Sequence, residues 1–271
     1  MEPAPRWWLR AYLLFAAFQG LALGITGLVV PDQIQVPLRM TPLNERFVAA
    51  LYFAGGLGVL LAAFSRRRSE ARLFVLGFGF ATGIILILTL LHWGDFMADP
   101  LPNRSSWIAA YVLDPLFALA IVPAAGYLRL PARVAHPLTR LLLIEAILTG
   151  ALAVVLLFAP TLAAAYWPWA LPPVVGQLYA CFFLTFAVGA FLAAGEAETA
   201  AIRNFLVSSL ALCLGVLLAS LLHLGRFKPE PVTWLWFALF GIGAAAFAVA
   251  LVVQWRSAGG ARLATATQAG G

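Results

Sequence analysis

The chain has 271 residues, of which 63% are hydrophobic and 10% are charged, and its formal net charge is +6. A water-soluble domain has about 25% charged and about 45–50% apolar residues, so this composition excludes an ordinary soluble protein. The basic residues lie in short stretches between apolar runs rather than along one stripe. This arrangement argues against nucleic acid as a partner and predicts the lipid bilayer instead.

Eight apolar runs are long enough to cross a bilayer as α-helices, which takes about 20 residues each. Stretches that are rich in proline or charge separate them. The predicted spans are residues 9–30, 47–64, 73–93, 107–128, 139–159, 175–194, 205–224 and 233–255. The first run is too long for a signal peptide and is interpreted as a retained span. The sequence therefore predicts an all-α, polytopic membrane protein with eight transmembrane helices.

A repeated motif divides the eight spans into two groups of four. Residues 90–96 read LLHWGDF and residues 221–227 read LLHLGRF, which are identical at five of seven positions. Because four spans return the chain to the side where it entered, the halves are predicted to be parallel tandem repeats. The predicted organisation is a first four-helix repeat at 1–128, a cytoplasmic linker at 129–137, a second four-helix repeat at 138–256, and a disordered tail at 257–271.

Charge and tryptophan placement predict the orientation in the membrane. Twelve of the 17 basic residues lie on the side that holds both termini and the even-numbered loops, so both termini are predicted to be cytoplasmic. The nine tryptophans lie near the span ends, as in an aromatic belt at headgroup depth. All but one of the basic residues are arginine, and alanine and glycine are frequent, which indicates a bacterial protein. The predicted localisation is the bacterial cytoplasmic (inner) membrane.

Two acidic residues lie within the spans and are candidate ligand-binding residues: Asp114 in the fourth span and Glu145 in the fifth. A charge at that depth costs at least ~2.5–3.5 kcal/mol on insertion scales, so an intramembrane acid is a functional hypothesis. Asp114 precedes Pro115, which frees a backbone carbonyl nearby. The alternative is that each acid is neutral or hydrogen-bonded inside the bundle, with Arg140 as one candidate partner for Glu145.

Two histidines, His92 and His223, occupy equivalent positions in the repeated motif and are further ligand-binding candidates. One hypothesis is a shared ligand such as a bis-histidine haem, a metal or a hydrogen-bonded quinone. The favoured alternative is a structural helix end, where glycine stops the helix and histidine meets the headgroups. No set of metal ligands is predicted, because Cys181 and Cys213 lie apart in apolar runs, and the cofactor stays unknown. His136, in the linker, is predicted to face solvent.

Small residues and two long loops predict how the helices and outer loops pack. Gly20 with Gly24, and Gly79 with Gly83, form GxxxG pairs that are typical of close helix packing in lipid. The corresponding outer loops PDQIQVPLRMTPLNERF and APTLAAAYWPWALPP are predicted to form either a lid on the outer face or plain amphipathic connectors.

The repeat unit resembles uncharacterised bacterial multispan membrane proteins. The residues that carry the resemblance are RFVAALYFAGG at 46–56 and LLHWGDF at 90–96. Each half also looks like four-helix membrane families of the DoxX kind. The resemblance implies a membrane-embedded helical bundle and no assigned activity, cofactor or functional residues.

Three classes of function stay open at this point. The first is an inner-membrane protein that binds or transports a small apolar or amphipathic molecule between its two repeats. The second is an accessory or assembly subunit of a larger membrane complex, with a membrane-protein partner or a homo-oligomer. The third is a haem- or quinone-linked redox protein. A membrane enzyme, which would rest on Asp114, is less favoured, because no nucleotide-binding, zinc-protease or nucleophile-elbow motif is present.

Overall fold

The computed structural model describes residues 5–98, 103–128 and 132–269, without the side chains of residue 103 and residues 257–269. This part of the chain is all-helical, with ten α-helices and no strand. The helices are α1 Trp7–Val29, α2 Pro42–Ala63, α3 Arg68–Leu91, α4 Trp93–Phe96, α5 Asn103–Ala124, α6 Thr139–Phe158, α7 Pro160–Tyr166, α8 Pro173–Ala193, α9 Thr199–Leu221 and α10 Pro231–Ala269.

Eight of these helices are long and apolar enough to cross a membrane, which confirms the predicted number of spans. Some begin about one turn before the apolar run, because polar groups cap them. Thr41 accepts the backbone N–H of Asn44 over 3.4 Å at the start of α2. Glu70 accepts the backbone N–H groups of Arg66 and Arg67 at the start of α3. Such caps extend a helix into polar sequence that hydropathy alone leaves out.

Four of the spans form the centre of the bundle and four lie outside them. In the central helices α2, α3, α8 and α9, between 39% and 67% of the apolar 18-residue stretch is buried inside the protein. In the outer helices α1, α5, α6 and α10, this fraction is between 22% and 33%. Outer helices therefore present most of their side chains to the surroundings of the bundle, which are lipid for a membrane protein.

Each outer helix packs on one central helix, and the central helices pack across the bundle. Helix α1 packs on α2 and α6 on α8, while α5 packs on α3 and α10 on α9. Across the bundle α2 packs on α9 and α3 on α8. The four central helices therefore hold the first and second halves of the chain together.

The packing of α1 on α2 depends on glycine. A Cβ atom at Gly24 would lie 2.6 Å from the Cα of Phe53, and one at Gly56 would lie 2.8 Å from the backbone nitrogen of Leu21. The GxxxG pair of α1 thus faces its neighbour, as close packing requires. In α3 the second glycine of the pair does not: a Cβ at Gly83 would meet nothing within 4 Å.

We call the end of the bundle that holds residues 30–41, 92–98, 159–172 and 222–230 the tryptophan-rich end. The opposite end, with residues 64–67, 125–128, 132–138 and 194–198, is the arginine-rich end. Residues 129–131 of the predicted linker and residues 270–271 lie outside the described residues. Helix α10 is assigned as far as Ala269. The disorder predicted for residues 257–271 stays a prediction.

An aromatic cluster fills one part of the tryptophan-rich end. Phe47 has five aromatic rings within 6.5 Å of its own, measured between centroids. The rings are those of Trp167, Trp169, Tyr179, Phe183 and Trp236. Trp107, Trp167, Trp169 and Trp236 are all at most 6% exposed. The aromatic-belt interpretation is therefore wrong for four of the nine tryptophans, which pack inside the protein instead of facing headgroups.

Polar contacts between the two halves join the loops at the arginine-rich end. Arg72 donates to the Glu196 carboxylate over 2.7 Å, and Arg67 lies 3.4 Å from Glu198. The linker is tied to the same region, because His136 Nε2 lies 2.9 Å from the carbonyl oxygen of Ala193. The prediction that His136 faces solvent is therefore wrong: its ring is half-buried and hydrogen-bonded to the end of α8.

Candidate functional site

An apolar cavity of about 110 Å³ lies where α1, α2, α3, α5, α8 and α9 meet. Its wall combines glycines with phenylalanines from both halves of the chain, among them Gly55, Gly77, Phe78, Phe182, Phe186 and Phe205. Its hydroxyl groups already have partners. Ser208 donates to the carbonyl of Ala54 over 2.7 Å, and Thr82 donates to that of Phe78 over 2.9 Å. The cavity therefore suits an apolar group.

A second cavity of about 320 Å³ adjoins the first near the tryptophan-rich end. We call it the polar cavity, because its wall carries more polar groups than that of the first. Its wall includes Gln19 and Thr26 of α1, Gln33 and Gln35 of the following loop, and Asp114 of α5. Gln33 and Gln35 are exposed, so the cavity reaches the surface beside this loop. Concave sites with a few converging polar groups are the usual form of small-molecule sites.

Asp114 is the charged residue in the wall of the polar cavity. Its side chain is 2% exposed, and its Oδ1 atom has no hydrogen-bond partner among the described residues. The side chain of Gln19 is the group that interacts with this carboxyl. A buried carboxyl oxygen without a partner is costly, and a ligand or a water molecule in the cavity would satisfy it.

Two tyrosines stand between the cavities. Tyr52 and Tyr111 line both of them, together with Gly20, Phe78 and Thr82. The two tyrosine hydroxyls share a hydrogen bond with each other. This pair joins α2 to α5 at the boundary between an apolar space and a polar one.

The space beside Asp114 exists because α1 and α5 are each held against a different neighbour. Close packing at Gly24 holds α1 on α2. The indole N–H of Trp107 donates to Thr89 over 3.0 Å, which holds α5 on α3. A Cβ at Gly79 would lie 2.6 Å from the Cβ of Ala118, so α3 and α5 are also in close contact nearer the arginine-rich end. The polar cavity lies in the gap between α1 and α5.

Glu145 lies apart from both cavities and has a partner. Ser209 of α9 donates to its Oε1 atom over 2.7 Å, while its Oε2 atom has none. The candidate partner suggested by the sequence was Arg140, and the structure places Ser209 there instead. A seryl hydroxyl on a facing helix satisfies a buried carboxyl at lower desolvation cost than a guanidinium. Glu145 therefore ties α6 to α9.

His92 and His223 end helices α3 and α9, and neither lines the two cavities. His92 Nδ1 lies 3.5 Å from the carboxylate of Asp95. His223 Nε2 accepts from Arg46 over 2.8 Å, since a guanidinium only donates. Burial, followed by the charges of Arg46 and Arg226, lowers the pKa of His223. The two histidines thus have different partners.

No cluster of metal ligands comes together in the part of the chain that the structure describes, where no group of three or more His, Cys, Asp or Glu side chains is close enough to hold an ion. His223 would also have to give up its contact with Arg46 before Nε2 became available to a metal. A haem between two histidines or a hydrogen-bonded quinone needs no such cluster, so these two hypotheses stay predictions.

The sequence identified Asp114 but not the residues around it. Gln19 is the one amide in the first span, and Tyr52 and Tyr111 carry hydroxyls inside apolar runs. A polar side chain in such a run is a weak indication of a functional site. What the sequence could not supply was their proximity. Tyr52 and Tyr111 are 59 residues apart in the chain.

Comparisons with protein-family models, with curated proteins and with solved structures found no match to this chain. The resemblance of each half to DoxX-type families therefore stays a prediction. The fold and the cavities define the class of protein: an integral membrane protein with eight long apolar helices and two adjoining cavities between them.

Proposed function

We propose that this protein binds a small amphipathic molecule, with its apolar part between the two halves and its polar part beside Asp114. The observation that carries the proposal is the shared wall of the two cavities. Tyr52 and Tyr111 line an apolar space on one side and a polar, surface-connected space on the other. A ligand with one apolar and one polar end matches both spaces at once.

The two-repeat architecture is part of this proposal. Equivalent contacts support it: Trp107 donates to Thr89 and Trp236 donates to Ser220, both over 3.0 Å. Thr89 and Ser220 precede the two copies of the repeated motif directly. The pairing of α1 with α2 likewise corresponds to that of α6 with α8, and α2 on α9 corresponds to α8 on α3.

Under this correspondence, the equivalent of the polar cavity is filled in the second half. Tyr179 and Trp236 are the counterparts of Tyr52 and Trp107. The ring of Tyr179 contacts that of Trp167, and the ring of Trp236 contacts those of Trp167 and Trp169, both from the loop before α8. Gly243 stands where the first half has Asp114, and a Cβ there would lie 3.1 Å from the sulfur of Cys213. The first half thus keeps an open space, and aromatic rings and close packing occupy the equivalent place in the second half. This difference supports a single, asymmetric site in the first half.

Transport of the bound molecule is the second part of the proposal. The polar cavity reaches the surface near the tryptophan-rich end, whereas Arg72 and Glu196 pair across the halves at the arginine-rich end. A cavity that opens at one end of the bundle, with an ion pair between the halves at the other end, suits alternating access. The excess of basic residues on the side that holds both termini supports an orientation with cytoplasmic termini in a bacterial inner membrane. The substrate would then enter from the outer face.

Photolabelling with a cavity-filling variant tests binding. The probe is an eight-carbon alcohol that carries an aliphatic diazirine, added to the protein in detergent, and mass spectrometry measures labelling of peptides that contain residues 52–59 and 182–189. Gly77 lines the apolar cavity, and a Cβ there meets nothing within 4 Å, so Gly77→Leu adds a side chain at the cavity wall without a clash at its Cβ. We expect labelling of the wild type to be saturable by 1-octanol and at least fivefold weaker in Gly77→Leu.

The matched control is Gly83→Leu on the same helix. A Cβ at Gly83 also meets nothing within 4 Å, but this residue lines neither cavity. Its labelling should equal that of the wild type. Labelling that 1-octanol does not compete for, or that is equal in both leucine variants, would overturn the binding proposal.

A further inference from the structure

We infer that the molecule bound at this site carries a positively charged organic headgroup, such as an alkylammonium, which pairs with Asp114. This inference rests on the proposed function and names the class of ligand. It depends on which charges line the polar cavity and which atoms there lack partners.

The carboxyl in the wall of the polar cavity is not balanced by a basic residue. Asp114 is the one carboxylic acid among the residues that line it, and none of them is Lys, Arg or His. Its neighbours in the wall include amides, hydroxyls and rings, which would neutralise no charge. Taking a carboxylate out of water without a counter-charge is strongly unfavourable. A cationic ligand supplies the missing counter-charge.

The unpartnered atom points to a donor on the ligand. Among the described residues, Oδ1 of Asp114 is buried without a hydrogen-bond partner, although the carboxyl lines a cavity that is open at the surface. Glu145, another buried carboxyl, receives the hydroxyl of Ser209 at 2.7 Å and lines neither cavity. An ammonium N–H group beside Asp114 would donate to the carboxyl with charge assistance.

Aromatic rings complete a surface that favours a cation. The polar cavity is lined by Tyr52, Phe78, Trp107 and Tyr111, and the rings of Trp107 and Tyr111 lie 4.3 Å apart between centroids. The faces of aromatic rings attract ammonium groups, most strongly where the groups are desolvated. They do not attract an anionic head, which Asp114 would also repel. The apolar cavity behind Tyr52 and Tyr111 then takes the hydrocarbon part.

Competition against the diazirine alcohol tests the headgroup. The three competitors share an eight-carbon chain and differ in charge: n-octylammonium, 1-octanol and octanoate. We expect n-octylammonium to compete at a concentration at least tenfold lower than 1-octanol for the wild type, and octanoate to be the weakest. Asp114→Asn should remove the preference for the cation, because the asparagine amide is nearly isosteric but uncharged.

Glu145→Gln is the matched control, since it neutralises a buried carboxyl outside both cavities and should keep the preference. Each variant is compared with the wild type in the same detergent, so partitioning of a competitor into micelles cancels. Equal competition by n-octylammonium and 1-octanol in the wild type, or an unchanged preference in Asp114→Asn, overturns the cationic ligand. If Gly77→Leu still abolishes labelling in that case, the binding proposal survives; if wild-type labelling is not saturable, both proposals fail.

Discussion

Trp169 donates its indole N–H to the side-chain oxygen of Asn44 over 2.6 Å, and so joins the loop after α7 to the first turn of α2. Tyr179 donates to the same oxygen over 2.8 Å, and the Asn44 amide donates to the carbonyl of Ala170 over 3.3 Å. Asn44 is fully buried. This one amide therefore satisfies three polar groups of the second half from a position in the first half.

Asn44→Leu should destabilise the protein strongly. The substitution leaves the indole N–H of Trp169 buried without its acceptor, at about 1–3 kcal/mol. It also removes the 2.8 Å hydrogen bond of the Tyr179 hydroxyl, which keeps only its 3.4 Å contact with the backbone carbonyl of residue 44. We expect the free energy of unfolding, measured by titrating SDS into mixed micelles, to fall by about 2–5 kcal/mol.

A double-mutant cycle separates the hydrogen bond from packing. Trp169→Phe removes the donor, so the loss from Asn44→Leu should be smaller in that background by about 0.5–3 kcal/mol. Purely additive losses would show that the Trp169–Asn44 bond contributes nothing to the stability of the fold.

The close contact of α1 and α2 gives a prediction about two glycines. Gly24→Ala places a methyl group 2.6 Å from the backbone of Phe53, so the helices must separate. We expect a loss of about 1–3 kcal/mol in the same SDS titration, as for other overpacked contacts. Gly83→Ala, where the methyl meets open space, should cause no loss. Equal losses in the two variants would contradict the glycine-dependent packing of α1.

The number of spans was predictable because hydropathy over about 20 residues is a strong local signal. Helix starts were less accurate, because caps such as Thr41 and Glu70 add polar turns that a hydropathy window leaves out. Orientation and the repeat rest on charge and motif patterns, and they stay predictions.

The candidate site was only partly predictable. Asp114 is identifiable from the sequence alone, because an acid within a span is rare. Its surroundings come from residues distant in the chain, such as Gln19 and Tyr52, and no local pattern brings them together. The tryptophans illustrate the same limit: Trp167 and Trp169 lie near a span end, yet the loop turns them into the protein rather than toward headgroups.

The ion pair of Arg72 with Glu196 predicts unequal effects for two arginines on the same side of the bundle. The Arg72 and Glu196 side chains are 12% and 6% exposed, whereas that of Arg67, paired with Glu198, is 59% exposed. Removing one partner of a buried pair costs about 3–5 kcal/mol, and an exposed pair is worth about 0–1 kcal/mol.

Arg72→Gln should therefore lower the thermal unfolding midpoint in detergent clearly, while Arg67→Gln leaves it nearly unchanged. The side chain of glutamine keeps a hydrogen-bond donor in both variants, so the comparison isolates charge. A larger effect from Arg67→Gln would contradict the assignment of the main contact between the halves at the arginine-rich end to Arg72 and Glu196.

The contact of His223 with Arg46 predicts a loss of stability in acid. Burial and the guanidinium groups of Arg46 and Arg226 lower the pKa of His223, so the folded protein binds this proton less readily than the unfolded chain. The stability is therefore present above the unfolded pKa of about 6.5 and is lost as the pH falls through the lowered value. Thermal unfolding midpoints of the wild type from pH 7.5 to 5 should decrease.

His223→Gln should flatten this decrease, because its amide oxygen can still accept from Arg46 but takes up no proton. The matched variant is His92→Gln at the end of α3, where the neighbouring charge is the carboxylate of Asp95 rather than a guanidinium. It removes a histidine from the other copy of the motif and leaves the Arg46 contact intact, so the acid-side decrease should persist. If both variants lose the decrease equally, or neither does, the pH dependence does not come from the contact between Arg46 and His223.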